Sequence, residues 1–134
     1  MILEHKHLIV RANLQAPPIC SDEIVLWMRN LVEKIGMKIL MGPYAVYSDM
    51  VGNRGLTAVT IIETSHIALH VWDEVKPALM QLDVYTCSKL NPKDVFEAFE
   101  CFAPSNFEYK FIDREHELAL LERGRMNEIL PIPT

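Results

Sequence analysis

The chain has 134 residues, half of them hydrophobic, and a net charge of −5. That length suits one domain with a modest core, and the composition is that of a folded chain rather than a disordered one. The sequence has no Lys/Arg cluster or stripe and no apolar run near the roughly 20 residues of a bilayer span, which argues against nucleic acid or a membrane as partner.

Residues 5–14 read as a strand rich in Leu, Ile and Val, broken by Ala16-Pro17-Pro18. Glu4, Lys6 and two His crowd the first seven residues, unlike a signal peptide. The three Cys (Cys20, Cys87 and Cys101) are an odd number. Together these predict reduced thiols and a cytoplasmic protein.

Ser21 is a candidate N-cap, with Asp22 and Glu23 in the first turn, where the helix dipole favours acids. Ile24, Trp27, Met28, Leu31, Val32 and Ile35 then recur at helical spacing, up to Gly36. A second strand is predicted over 38–47, and Gly52-Asn53-Arg54-Gly55 is a turn. Leu56 to Glu63 and His66 to Trp72 read as strands. In the second of these, Ile67, Leu69 and Val71 take one face and His66, Ala68, His70 and Trp72 the other. Leu79 to Thr86 is a further strand, Asn91-Pro92 opens a second helix, Phe107 to Asp113 is a sixth strand, and the tail at 115–123 reads as a short helix.

The predicted order is β-α-β-β-β-β-α-β in a single domain over 1–134. The fold class expected is α/β (α+β), a two-layer sandwich with a largely antiparallel sheet and helices on one face. The other face must be wet or covered. The slightly apolar mean hydropathy of +0.10 points to burial against a second copy.

Few residues carry obvious chemistry. Ser65 sits between two strands without a Gly-x-Ser-x-Gly elbow, so the hydrolase of that type is unsupported. His66 and His70 are four apart, which on a strand spans roughly 13 Å and prevents their chelating one ion; no metal site is expected. A lone Cys is ordinarily a small buried hydrophobe, the reading given to Cys20 and Cys101. His5 and His7 share one strand face and read as surface or core-edge residues.

Taken in order, the run Thr64-Ser65-His66-Ile67-Ala68-Leu69-His70-Val71-Trp72-Asp73-Glu74 followed by Asp83-Val84-Tyr85-Thr86-Cys87 resembles the short prokaryotic, pyruvoyl-dependent class of S-adenosylmethionine decarboxylase. The resemblance implies self-cleavage between Thr64 and Ser65, with Ser65 becoming a pyruvoyl group that forms a Schiff base with the substrate amine and acts as an electron sink. It implies proton transfer by His70 during processing, assistance from the Thr57 hydroxyl, protonation of the product carbanion by Cys87, and a substrate ribose held by Glu74. The activity implied is decarboxylation of S-adenosylmethionine for polyamine (spermidine) biosynthesis. Ser65 and His70 lie five residues apart, roughly 16 Å along a straight strand. A homodimer sharing residues across its interface is therefore expected.

The sequence departs from the family pattern at the adenosine pocket. Thr64 stands where the family has Glu, Val51 where it has an aromatic ring, and Asp73 where it has Pro. Two alternatives stay open: a pyruvoyl decarboxylase of another amino acid such as arginine, and a non-processing homologue that only binds a ligand or partner.

Overall fold

A computed structural model describes residues 4–126. Seven strands form one sheet: β1 (Lys6–Leu14), β2 (Ile39–Ser48), β3 (Gly55–Ile62), β4 (Ser65–Trp72), β5 (Ala78–Thr86), β6 (Pro104–Asp113) and β7 (Leu120–Met126). Their spatial order is β2-β3-β4-β5-β1-β6-β7, and every neighbouring pair is antiparallel. Two α-helices, α1 (Ser21–Lys34) and α2 (Pro92–Ala98), and a 3₁₀ turn at Glu100–Phe102 complete the described elements.

The helices form because their apolar residues share one stripe. In α1, Ile24, Met28, Leu31 and Val32 are buried, and in α2 Val95 and Phe96 are, joined by Phe99 and Phe102. They pack on Leu8, Val10, Ala12, Leu69, Met80 and Leu82 from the sheet. Each large side chain so buried contributes about 1.5–3 kcal/mol. The Asn91 side chain caps α2 by accepting from the Lys93 N–H at 3.1 Å. The N-cap of α1 is Cys20 rather than Ser21, and it makes no side-chain cap bond.

The fold class expected from the sequence is the one observed, with one addition. The tail is not helical: residues 120–126 form the seventh strand. Its Leu, Glu and Arg content favours helix only weakly, and pairing along β6 overrides it. Gly124 lies opposite Tyr109, whose ring would come within 2.8 Å of a Cβ there. Cys20 and Cys101 are exposed rather than buried. Cys20 precedes α1 at the surface, and in the 3₁₀ turn it is Phe102 that faces inward.

The sheet face away from the helices has no cover from the described residues. Strand alternation puts two registered rows on it. One runs Thr57, His70, Gln81, Arg11, Glu108, Arg125 and the other Val59, Ala68, Asp83, Ile9, Lys110, Arg123. Val59, Ile9, Ile61, Tyr44 and Val46 stand exposed on this face, an unusual load of apolar surface for a free sheet.

Candidate active site

β3 and β4 join through a two-residue hairpin loop, Glu63-Thr64, with Ile62 paired to Ser65. Ser65 is therefore the first residue of β4 rather than a loop residue, and it is buried. Thr64 adopts φ 49°, the left-handed region that glycine or asparagine usually fills at such a turn. For a β-branched side chain this conformation is costly, of order 1–3 kcal/mol. The peptide bond between Thr64 and Ser65 thus begins at the most constrained residue of the hairpin.

Three side chains converge on the backbone carbonyl of Glu63. The Ser65 hydroxyl donates to it at 2.8 Å, the Cys87 thiol at 3.0 Å and the Thr64 hydroxyl at 2.9 Å. Cys87 arrives there because β5 ends at Thr86, beside the start of β4. Ser65 and Cys87, remote in sequence, therefore share one acceptor.

His70 and Thr57 form a second cluster. They are register partners on β4 and β3, and the Thr57 hydroxyl lies 3.1 Å from His70 Nδ1. The His70 ring also leans on Trp72, with centroids 6.1 Å apart. Beyond the end of β4, Glu74 accepts from the Arg54 N–H at 3.2 Å. Hydrogen bonds from the Arg54 and Gly52 backbones hold its carboxyl below the usual range. Val51 in the same loop is exposed.

The chain does not bring these two clusters together. Five residues of straight β4 separate Ser65 from His70, roughly 16 Å. They also point to opposite faces, Ser65 with the core-facing Ile67 and Leu69, His70 with the uncovered side. Glu74 belongs to the His70 end.

A third group was not singled out as a unit from the sequence. On the uncovered face beside Ser65, Asp83 accepts a hydrogen bond from His7 Nε2, and His66 Nε2 is 3.7 Å from the same carboxylate oxygen. Burial works to raise the Asp83 carboxyl, but the hydrogen bond and charge of His7, then of His66, outweigh it and leave Asp83 below the usual aspartate range. Tyr85 sits among the rings, 5.5 Å from His7 and 5.6 Å from His66, with the Arg114 guanidinium 4.0 Å above its ring.

His7, His66 and Asp83 have the donor set of a metal site, with ligand atoms within 4.8 Å of one another. The surrounding hydrogen bonds oppose that use. Arg114 can only donate, and its Nη1 lies 3.4 Å from His7 Nδ1. A metal-ligating imidazole bound through Nε2 needs an acceptor at Nδ1, and the guanidinium there is a donor that also brings positive charge. The signal that could have found this group was the shared strand parity of His7, Asp83 and His66, but their adjacency depends on strand order.

The chain is similar to known proteins in sequence and in fold. The profile of the S-adenosylmethionine decarboxylase family matches residues 7–115. An S-adenosylmethionine decarboxylase proenzyme from Acetivibrio thermocellus is 35% identical over 78 residues, covering 54% of this chain and 61% of that one. An arginine decarboxylase proenzyme from Aeropyrum pernix is 32% identical over 72 residues, 51% of this chain and 52% of that one. The chain thus matches only about half to three-fifths of the length of these relatives. The crystal structure of the adenosylmethionine decarboxylase from Aquifex aeolicus has the same fold, with a TM-score of 0.61 at 21% identity, covering 85% of this chain and 92% of that one. The family profile spans most of the chain and includes the β3–β4 hairpin, the Thr57–His70 pair and Cys87, so this chain belongs to the S-adenosylmethionine decarboxylase family.

Proposed function

We propose that this chain is a pyruvoyl-dependent decarboxylase of S-adenosylmethionine, serving polyamine (spermidine) biosynthesis in the cytoplasm, that cuts itself between Thr64 and Ser65. The observation that carries the proposal is the convergence of Ser65 and Cys87 on the Glu63 carbonyl, directly after the constrained Thr64. In this reading the Ser65 hydroxyl attacks the carbonyl carbon of Thr64, the C–N bond breaks to give an ester, and elimination at Ser65 releases the chain ending at Thr64 and leaves dehydroalanine, whose imine form water hydrolyses to a pyruvoyl group with loss of ammonia. The residues fit such a group: its precursor side chain is buried and held, with a thiol beside it. The pyruvoyl group so made would supply an electron sink for decarboxylation. Cys87, which shares the Glu63 carbonyl with Ser65, is the proton donor, and Glu74 is the carboxylate for the ribose hydroxyls.

His70 and Thr57 serve the Ser65 of a second copy. A second copy packed face to face over β3 and β4, with β4 antiparallel to its copy at the ~10 Å spacing of stacked sheets, brings His70 of each copy toward the hairpin of the other and covers exposed Val59 and Ile61.

The residues beside Ser65 on the open face favour S-adenosylmethionine over arginine. They are rings and a cation: His66, Tyr85, His7 and Arg114. A neutral planar base stacks on such rings, whereas a substrate guanidinium would meet Arg114 and find the Asp83 carboxylate already engaged by His7. Arginine remains the second reading because of the likeness to an arginine decarboxylase proenzyme.

Intact-mass analysis of the purified protein tests the proposal. Fragments ending at Thr64 and beginning at a pyruvoyl-blocked residue 65 are expected. A full-length mass that persists on incubation would establish the non-processing alternative. Carbon dioxide release from labelled S-adenosylmethionine, compared with arginine, then decides between substrates.

A further inference from the structure

The uncovered sheet face reverses the sign of the chain over β1, β6 and β7. A groove of about 610 Å³ runs there, lined by Arg11, Lys110, Arg123 and Arg125, with Glu108 as the one carboxylate in its wall. The register explains the gathering. Arg11, Glu108 and Arg125 fall in one row across the three strands, and Ile9, Lys110 and Arg123 in the next. Glu108 is spoken for by Arg125, at 2.9 Å. Arg11, Lys110 and Arg123 form no ion pair among the described residues.

Charge on an edge strand often serves only to block edge-to-edge pairing. That purpose accounts for β7 but not for Lys110, one strand further in, or Arg11, two strands in.

We propose that this groove binds a small polyanion carrying at least two linked phosphate groups. Neighbouring strands are ~4.8 Å apart and residues i and i+2 are ~7 Å apart. The three unpaired cations, Arg11, Lys110 and Arg123, thus span roughly 10 Å by 7 Å, too wide for one phosphate and matched to a di- or triphosphate. Arginine supplies paired N–H donors for phosphate oxygens, and lysine a mobile point charge. The apolar floor at Ile9 raises the strength of these contacts by keeping water off one side. The site is separate from Ser65, Cys87, His70 and Thr57, and its occupancy does not depend on self-cleavage.

Calorimetric titration of the whole protein with inorganic triphosphate tests this. Saturable binding of one triphosphate per groove is expected, weakened tenfold or more in the Lys110→Gln, Arg123→Gln double variant. The Lys34→Gln, Lys89→Gln variant, which removes the same charge elsewhere, should bind as the parent does. Thermal melting confirms that each variant is folded before it is titrated. Absence of saturable binding, or equal weakening in both double variants, overturns the proposal. Tighter binding of a single-stranded oligonucleotide than of triphosphate overturns the small-ligand assignment. Because binding is read directly, failure here leaves the decarboxylase reading untouched, and an uncleaved protein can still pass.

Discussion

The Ser65 hydroxyl and the Cys87 thiol donate to the same backbone oxygen, that of Glu63, at 2.8 and 3.0 Å. A nucleophile precursor and a proton donor are thereby held on one side of the hairpin before any cleavage occurs. Their roles separate in time, so Cys87→Ala should leave self-cleavage intact, seen as the same two fragments by mass. Decarboxylation by the cleaved protein should fall by roughly 10²-fold or more, the scale of a lost general acid. Full turnover in Cys87→Ala would remove the thiol from the mechanism.

Sharing of sites between copies predicts complementation. Ser65→Ala and His70→Ala should each remain uncleaved when produced alone. Co-expressed, they should yield cleaved His70→Ala chains, because their intact Ser65 meets His70 of the other variant. If only the wild type is ever cleaved, the clusters act within one chain, against the separation along β4.

Thr64 holds a left-handed backbone conformation at φ 49°. In an uncleavable Ser65→Ala background, Thr64→Gly should raise the melting temperature by a few degrees, corresponding to about 1 kcal/mol. With Ser65 intact, the same glycine should slow fragment formation, since relief of the constrained ground state raises the barrier. An unchanged melting temperature would mean that the conformation costs nothing.

Asp83 gives a pH dependence of defined sign. Burial works to raise its carboxyl, but His7 and then His66 outweigh that and hold it below the usual aspartate range. A depressed acid stabilises the fold above its unfolded pKa, and that stabilisation is lost as pH falls through the folded value. Asp83→Asn should therefore lower stability at neutral pH and flatten the decline below about pH 4. Denaturant melts across that range measure it, and parallel profiles for both proteins would contradict the assignment.

Gly124 and Tyr109 hold the last strand in place. The Tyr109 hydroxyl donates to Glu122 at 2.6 Å, and its pKa is pushed up to about 12 by burial and then by that bond. Gly124→Ala would drive a Cβ to 2.8 Å from the ring. It should destabilise the protein by about 1–3 kcal/mol and return the Tyr109 titration toward an ordinary phenol. The protonated phenol is the bonded form, so its contribution is complete at neutral pH and is lost only as pH rises through about 12. Ultraviolet titration of the phenol reads the shift.

Local pattern determined much of this protein. Period-2 alternation sorted β4 into core-facing Ile67, Leu69 and Val71 and open-facing His66, His70 and Trp72, because a strand's pleat allows no other arrangement. Helical spacing fixed the buried stripe of α1, and the motif from Thr64 to Cys87 gave the family. The tail resisted such reading, since its strand exists only by pairing with β6. Tertiary structure alone decided the rest. It joined Cys87 to Ser65 through a shared carbonyl and His7 to Asp83 and His66 across two strand boundaries. It also gathered Arg11, Lys110, Arg123 and Arg125, dispersed along an acidic chain, into one basic groove. The reason is geometric: neighbours across a sheet are set by strand order and register, which long-range packing chooses, and a linear charge pattern does not carry them.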